Sequence, residues 1–114
     1  APVCFSPHVA EFFRGLIVTA QLSFKTPMDA AGLSSAFHQA YGSEPLIQVT
    51  DAIPEIADGA HAAGAVVGGF ALSGGGERAV IVCALDNLLK GAAVQAMQNL
   101  ALALDLDELE GLRA

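Results

Sequence analysis

The apolar run Ala79–Leu85, rich in Val and Ile and unbroken by any polar residue, constrains the chain more than any other stretch. Such a run reads as a strand buried on both faces. Asp86 and Asn87 follow it, both able to cap a helix. Residues 88–104 then read as a helix that is apolar almost all round, as a buried helix is. Its exceptions keep register: Asn87, Gly91, Gln95 and Gln98 follow one another at intervals of four, four and three, so they share one face. Amides on a buried helix need partners, since each one left unpaired costs about 1–3 kcal/mol. The run Gly91-Ala92-Ala93 would also let another backbone or a flat ligand come close. Spacing leaves two readings open. The stripe pairs across a subunit or domain contact, or it edges a ligand at a helix N-terminus, where free N–H groups suit an anion or a carboxamide.

The 114 residues suffice for one domain with a real core. Apolar residues make up 54% and charged residues only 15%, against about a quarter in ordinary domains. That is too apolar for a disordered chain, and too apolar for a small domain wetted on every side. Another domain or subunit is therefore expected to cover part of the surface. The net charge of −7, with no cluster of Lys or Arg, disfavours nucleic acid as a partner. Asp105, Asp107, Glu108 and Glu110 read as a solvated terminal face rather than a metal site, and no metal is expected. The helix 88–104 holds Lys90, Gln95, Gln98 and Asn99, so it is a core helix and no membrane span is expected. The sequence opens at Ala1 rather than Met with no basic or apolar signal-peptide pattern visible, and it reads as a piece of something longer. Cys4 and Cys83 lie in apolar runs without a Cys-x-x-Cys pattern; they read as buried reduced thiols, as in a cytoplasmic protein.

In chain order, Val3–Val9 reads as a short strand that Pro7 marks as an edge. A Cys4–His8 nucleophile–base pair is rejected, because four extended residues span about 13 Å. Leu16–Lys25 is a strand, alternating at its far end. Arg14, just before it, is either a surface partner of Glu11 or a clamp for phosphate or carboxylate. Thr26 (cap), Pro27 and Asp29 predict a helix that buries Leu33, Ala36, Phe37, Ala40 and Tyr41 and closes at Gly42, with His38 in solvent. Strand Leu46–Thr50 leads to an irregular stretch ending at His61, a lone His open to a functional or a structural reading. Residues 62–72 and 79–85 bracket Ser73-Gly74-Gly75-Gly76-Glu77 as a hairpin, and Gly68-Gly69 predicts a bulge or a close approach of backbone. The order β–β–α–β–β–β–α predicts an α+β fold: a mixed, mostly antiparallel sheet with helices on one face, the other free to meet a second subunit.

Three blocks carry a resemblance. Ser6-Pro7-His8-Val9 is followed, six residues after His8, by Arg14-Gly15; Ala40-Tyr41 precedes Glu44-Pro45-Leu46-Ile47; and Asp86-Asn87-Leu88-Leu89-Lys90-Gly91-Ala92-Ala93 leads into Gln95-Ala96-Met97-Gln98-Asn99-Leu100. Together these resemble the C-terminal part of the N-acetyl-γ-glutamyl-phosphate reductase family, over residues 3–112 in order and spacing. Many members have Gly-Ser/Thr-Asn before the hairpin, whereas this chain has Ala62-Ala63-Gly64 and then Val66-Val67-Gly68-Gly69-Phe70, a variant that resembles another branch and leaves the subgroup open.

The resemblance implies an NADP-dependent semialdehyde dehydrogenase of arginine biosynthesis, reducing an acyl phosphate through a thioester on a Cys with a His as acid/base. It implies the glyceraldehyde-3-phosphate-dehydrogenase-like C-terminal fold over residues 1–114. Residues 88–104 would be the helix that returns to an NADP-binding domain. The chain has no Gly-x-Gly-x-x-Gly and no Gly-Cys-Tyr-Pro-Thr, so no catalytic residue is assigned in it and the chain alone is expected to be inactive. By the same resemblance Arg14, with His8 near it, would face the substrate. Asn87, Lys90 and Gly91, with Gln95 behind, would lie by the nicotinamide end of NADP. The implied partners are the missing NADP-binding domain and further copies of the chain. The alternatives are a carrier-protein-linked aminoadipyl- or glutamyl-phosphate reductase and a non-enzymatic dimerisation or ligand-binding module.

Overall fold

The computed structural model describes residues 3–112, so both ends of the 1–114 span lie outside the described residues. The elements are β1 (Leu16–Ser23), α1 (Ala30–Tyr41), β2 (Ile47–Val49), α2 (Ile56–Gly59), β3 (Ala65–Ser73), β4 (Arg78–Leu85) and α3 (Val94–Ala103). The strands form one mixed sheet in the order β1–β4–β3–β2. β4 is antiparallel to both neighbours, and β2 runs parallel to β3. The expected hairpin is β3–β4, turned by Gly74–Gly76. The expected irregularity at Gly68-Gly69 is a register shift between Gly68 and Ala71, where the segment after β2 crosses the strand and Thr50 N–H donates to the Val67 carbonyl at 2.9 Å.

In antiparallel pairs, residues opposite one another share a face, so Leu22, Ala79 and Leu72 form one row and Ala20 lies beside Ile81 on the same side. α1 lies on this face over β2 and β3. Its Leu33 is buried with Ala79 and Ile81, ringed by Phe24, Met28, Phe37, Val67, Phe70 and Leu72. Burying Leu33 stabilises by about 1.5–3 kcal/mol. Phe37 and Phe70 pack with ring centroids 5.1 Å apart. Ala36, Ala40 and Tyr41, expected on the buried face, are exposed, because α1 touches the sheet along a narrower stripe than the pattern allowed.

The helix also starts later than expected. Asp29 is its cap, accepting from Gly32 N–H at 2.6 Å. Residues 24–28 are instead tied to the β3–β4 turn: Phe24 N–H donates to the Glu77 carbonyl at 2.8 Å and Met28 N–H to that of Gly76 at 3.0 Å. Tertiary pairing overrides the local Thr26-Pro27 signal.

The strand expected at Val3–Val9 is not formed. Residues 3–14 have no regular element, with Phe5 86% exposed and Cys4 in solvent rather than buried. Among the described residues no strand lies alongside to complete a ladder, and Pro7 has no N–H to offer one. β1 is an edge strand whose Leu16, Val18 and Leu22 stay exposed because α1 lies over β2 and β3, while Ile17 is exposed on the opposite face. The radius of gyration, 15.5 Å, exceeds the roughly 13 Å of a compact domain of this length because the arm and α3 project from the sheet.

Candidate functional site

β4 ends at Leu85, and the next side chain, Asp86, is fully buried at 0% exposure. Burying a carboxylate is costly unless each oxygen is bonded. Here four donors meet it. Arg14 Nη2 donates to Oδ1 at 2.7 Å, Leu88 N–H and Leu89 N–H donate to the same oxygen at 2.8 and 2.9 Å, and His61 N–H donates to Oδ2 at 2.7 Å. The Arg14 guanidinium first, then the N–H groups of His61, Leu89 and Leu88, hold the Asp86 carboxyl well below the usual carboxylate range, against the opposing effect of burial. Asp86 thus ties together three segments distant in sequence: the entry to β1, the loop after α2 and the start of the terminal helix.

Each segment bends to reach it. Gly15 has φ +104°, and a Cβ there would stand 2.6 Å from Ile56 Cγ2, so glycine lets the chain turn from Arg14 into β1 while its N–H donates to Asn87 Oδ1 at 3.1 Å. His61 takes φ 63°, a left-handed conformation uncommon for a non-glycine residue, and so aims its N–H at Asp86. The helix begins with a π turn, Leu89–Ala93, in which Gly91 N–H donates to the Asp86 carbonyl at 2.8 Å and Ala93 N–H to that of Leu88 at 3.0 Å. A Cβ at Gly91 would lie 3.1 Å from the Asp86 carbonyl oxygen, so the glycine serves this tight entry.

The polar stripe finds its partners within the chain. Gln98, 7% exposed, accepts from Lys90 Nζ and donates through Nε2 to Glu108 Oε2 at 2.8 Å. The acidic tail is thus in part folded back onto the helix through Glu108. Burial lowers the Lys90 ammonium pKa, opposed by the charges of Glu108 and Glu44. Gln95 Nε2 donates to Asn99 Oδ1 at 3.1 Å.

Arg14, Asn87 and Gly91 are therefore gathered around Asp86. Lys90 and Gln95 belong to two separate bond networks on the helix, and His8 lies exposed in the arm. Arg14 is 20% exposed; its Nε is buried and has no partner among the described residues. The guanidinium has five N–H groups, of which Asp86 takes one, so it can pair with Asp86 and still meet an anion from solvent. Asn87 is exposed beside it. Burial pushes the Cys83 thiol pKa up, away from thiolate chemistry. Among the described residues, no group of His, Cys, Asp or Glu could hold a metal, and no helix is long and apolar enough to cross a membrane. Asp86 itself reads in the sequence only as a helix cap, because its main partner lies 72 residues away.

The sheet with its flanking helices defines a semialdehyde-dehydrogenase type of fold. It matches aspartate semialdehyde dehydrogenase II from Vibrio cholerae with a TM-score of 0.64 at 18% identity, over 82% of this chain and 28% of that one. Residues 1–87 match the family described as semialdehyde dehydrogenase, dimerisation domain, and the chain belongs to that family. It is 53% identical over 105 residues to the N-acetyl-gamma-glutamyl-phosphate reductase of Stenotrophomonas maltophilia, covering 92% of this chain and 33% of that protein. The same enzyme of Xanthomonas euvesicatoria is 46% identical over 98% of this chain and 35% of its own length. Protein arg11, mitochondrial, of Schizosaccharomyces pombe is 44% identical over 97% of this chain and 12% of its own. The chain thus spans about a third of the length of the bacterial relatives.

Proposed function

We propose that this chain is the substrate-binding and dimerisation part of a cytoplasmic, NADP-dependent N-acetyl-γ-glutamyl-phosphate reductase, working in arginine biosynthesis with an NADP-binding domain and a second copy of itself. The reading is carried by the coincidence of the family block Asp86–Gly91 with the buried Arg14–Asp86 cluster. In the reaction an acyl phosphate becomes a thioester on a Cys outside this chain, with release of phosphate, and is then reduced to the semialdehyde. Arg14 would meet the acidic or phosphoryl end of the substrate with the N–H groups that Asp86 leaves free. His8, six residues earlier, would approach the same end once the arm is covered.

The junction residues fit the nicotinamide end of NADP, whose reduced form would supply the hydride when bound. Asn87 Oδ1 is taken by Gly15 N–H, which leaves the side-chain NH2 for a carboxamide oxygen. Lys90, Gly91 and Gln95 follow next along the helix. The phosphates would rest on the other domain, because this sequence has no Gly-x-Gly-x-x-Gly to cradle them.

The test is phosphate-dependent reduction of NADP with N-acetylglutamate semialdehyde by the complete polypeptide; turnover only with a carrier-linked semialdehyde would move the assignment to the sister reductases, and none with either would leave a binding module. Within that protein, Arg14→Lys keeps a charge for Asp86 but loses the planar fork. We expect kcat/KM to fall about tenfold or more with the fold intact. Unchanged kinetics would make Arg14 a structural ion pair only.

The exposed face of α3 supports the inter-domain part of the reading. Met97, Leu100 and Leu104 lie three and four residues apart, all exposed, with Leu100 54% in solvent. Leu100→Glu is expected to shift the Tm of the isolated chain by only a few degrees, since the side chain is exposed there. In the complete protein it should lower Tm by about 5 °C or more, because a charge would be buried between domains. Equal shifts in both would place no partner on this face.

A further inference from the structure

We propose that Asp86 is a positioning residue: it holds the Arg14 guanidinium and the first amides of the terminal helix on one carboxylate, so that the substrate end and the cofactor end of the site are set in a single geometry. The proposal rests on the reading of Arg14 as substrate-facing given above.

Three observations carry it. Asp86 is fully buried, so its oxygens are spent on protein groups and not on solvent or ligand. Its Oδ1 is shared: the oxygen that takes Arg14 Nη2 at 2.7 Å also takes Leu88 N–H and Leu89 N–H at 2.8 and 2.9 Å. Arg14 therefore cannot shift along the site without disturbing the helix start that carries Asn87, Lys90 and Gly91. The bond from Gly15 N–H to Asn87 Oδ1 at 3.1 Å is a second link between the same two segments.

An ion pair serving only to hold β1 against the helix could face either way, but this one has a definite aspect. The Asp86 side is closed and Arg14 retains 20% exposure, so the guanidinium is anchored from the inside and open from the outside. Anchoring matters for a group that must meet charge in a transition state, because a preorganised donor spends nothing on reorientation when the reaction occurs. A free surface arginine would have to be ordered by each substrate.

The test is a double-mutant cycle in the complete reductase with Asp86→Asn and Arg14→Lys. Asn keeps an oxygen for the helix amides but removes the charge that orients Arg14. Asp86→Asn is expected to lower kcat/KM for the acyl substrate about tenfold while the Kd for NADP stays within about twofold. The double variant should be no worse than Arg14→Lys alone, because Asp86 acts on the substrate only through the planar guanidinium that Lys lacks. Losses that multiply would overturn the positioning role and leave Asp86 a structural group. If Arg14→Lys lowers kcat/KM but a folded Asp86→Asn does not, the proposal fails and the reading of Arg14 stands. If Arg14→Lys itself changes nothing, that reading fails first and takes the proposal with it. Should Asp86→Asn not fold, nitrogen-15 NMR of the unmutated protein decides: slow rotation of the Arg14 guanidinium is expected, and averaging like that of a surface arginine would overturn the proposal.

Discussion

Gly68→Ala is expected to destabilise the fold by about 3 kcal/mol or more, and to lower Tm by more than about 10 °C. A Cβ at this position would stand 2.3 Å from the Thr50 carbonyl oxygen and 2.6 Å from that of Ala52. Both obstacles are backbone, so no rotamer change relieves them. The Thr50 N–H bond to Val67 at 2.9 Å pins the crossing segment where the clash falls. β2 would have to separate from β3, and its three-residue parallel ladder is too short to survive that. Gly75→Ala is the control. Gly75 has a left-handed φ of 66° but nothing within 4 Å of its Cβ position, so only the conformational cost of about 1–2 kcal/mol applies. Thermal and urea melts of the two variants compare the effects directly. A Gly68→Ala protein as stable as Gly75→Ala would mean that residues 50–52 can move off the strand.

The same glycine marks what a sequence makes legible. Gly68-Gly69 inside a Val-rich strand announces a close approach without saying what approaches. The β3–β4 hairpin is legible in full, since a Gly-rich turn between two β-branched runs leaves few alternatives. The start of α1 is not, because Thr26 and Asp29 can both cap; the choice falls to Gly76 and Glu77, whose carbonyls hold Phe24 and Met28 out of a helix. Val3–Val9 has a strand's composition and no strand's partner. Apolar patterning states that a surface must be covered, and is silent on which molecule covers it.

The site divides in the same way. The polar stripe on the helix is visible as a spacing, and its need for partners follows from burial. That Gln98 is satisfied by Lys90 and Glu108 depends on a tail that folds back, which no periodicity records. Arg14 and Asp86 are legible separately, as a scarce cation beside a glycine and as a helix cap. Their union at 2.7 Å is a product of sheet order, because β1 lies beside β4 and so brings the residue before one strand to the residue after the other.

That union should dominate the acid limb of stability. Above about pH 5 Asp86 is ionised in both folded and unfolded chains, and the bonds from Arg14, His61, Leu88 and Leu89 contribute in full. The carboxyl is held well below its ordinary value of about 3.9 in the folded state, so as pH falls the unfolded chain takes up its proton first. Stability is therefore lost progressively on acidification below about pH 5, and the loss continues toward the folded pKa. Once protonated, the group no longer compensates the largely buried Arg14 charge. The chain carries a net charge of −7, and acidification also relieves that self-repulsion, which acts in the opposite direction. Asp86→Asn separates the two effects. The variant should have a lower Tm at neutral pH, since the Arg14 charge loses its partner, and a much flatter Tm–pH curve below about pH 5. An acid slope as steep in the variant as in the unmutated chain would assign the limb to other carboxylates.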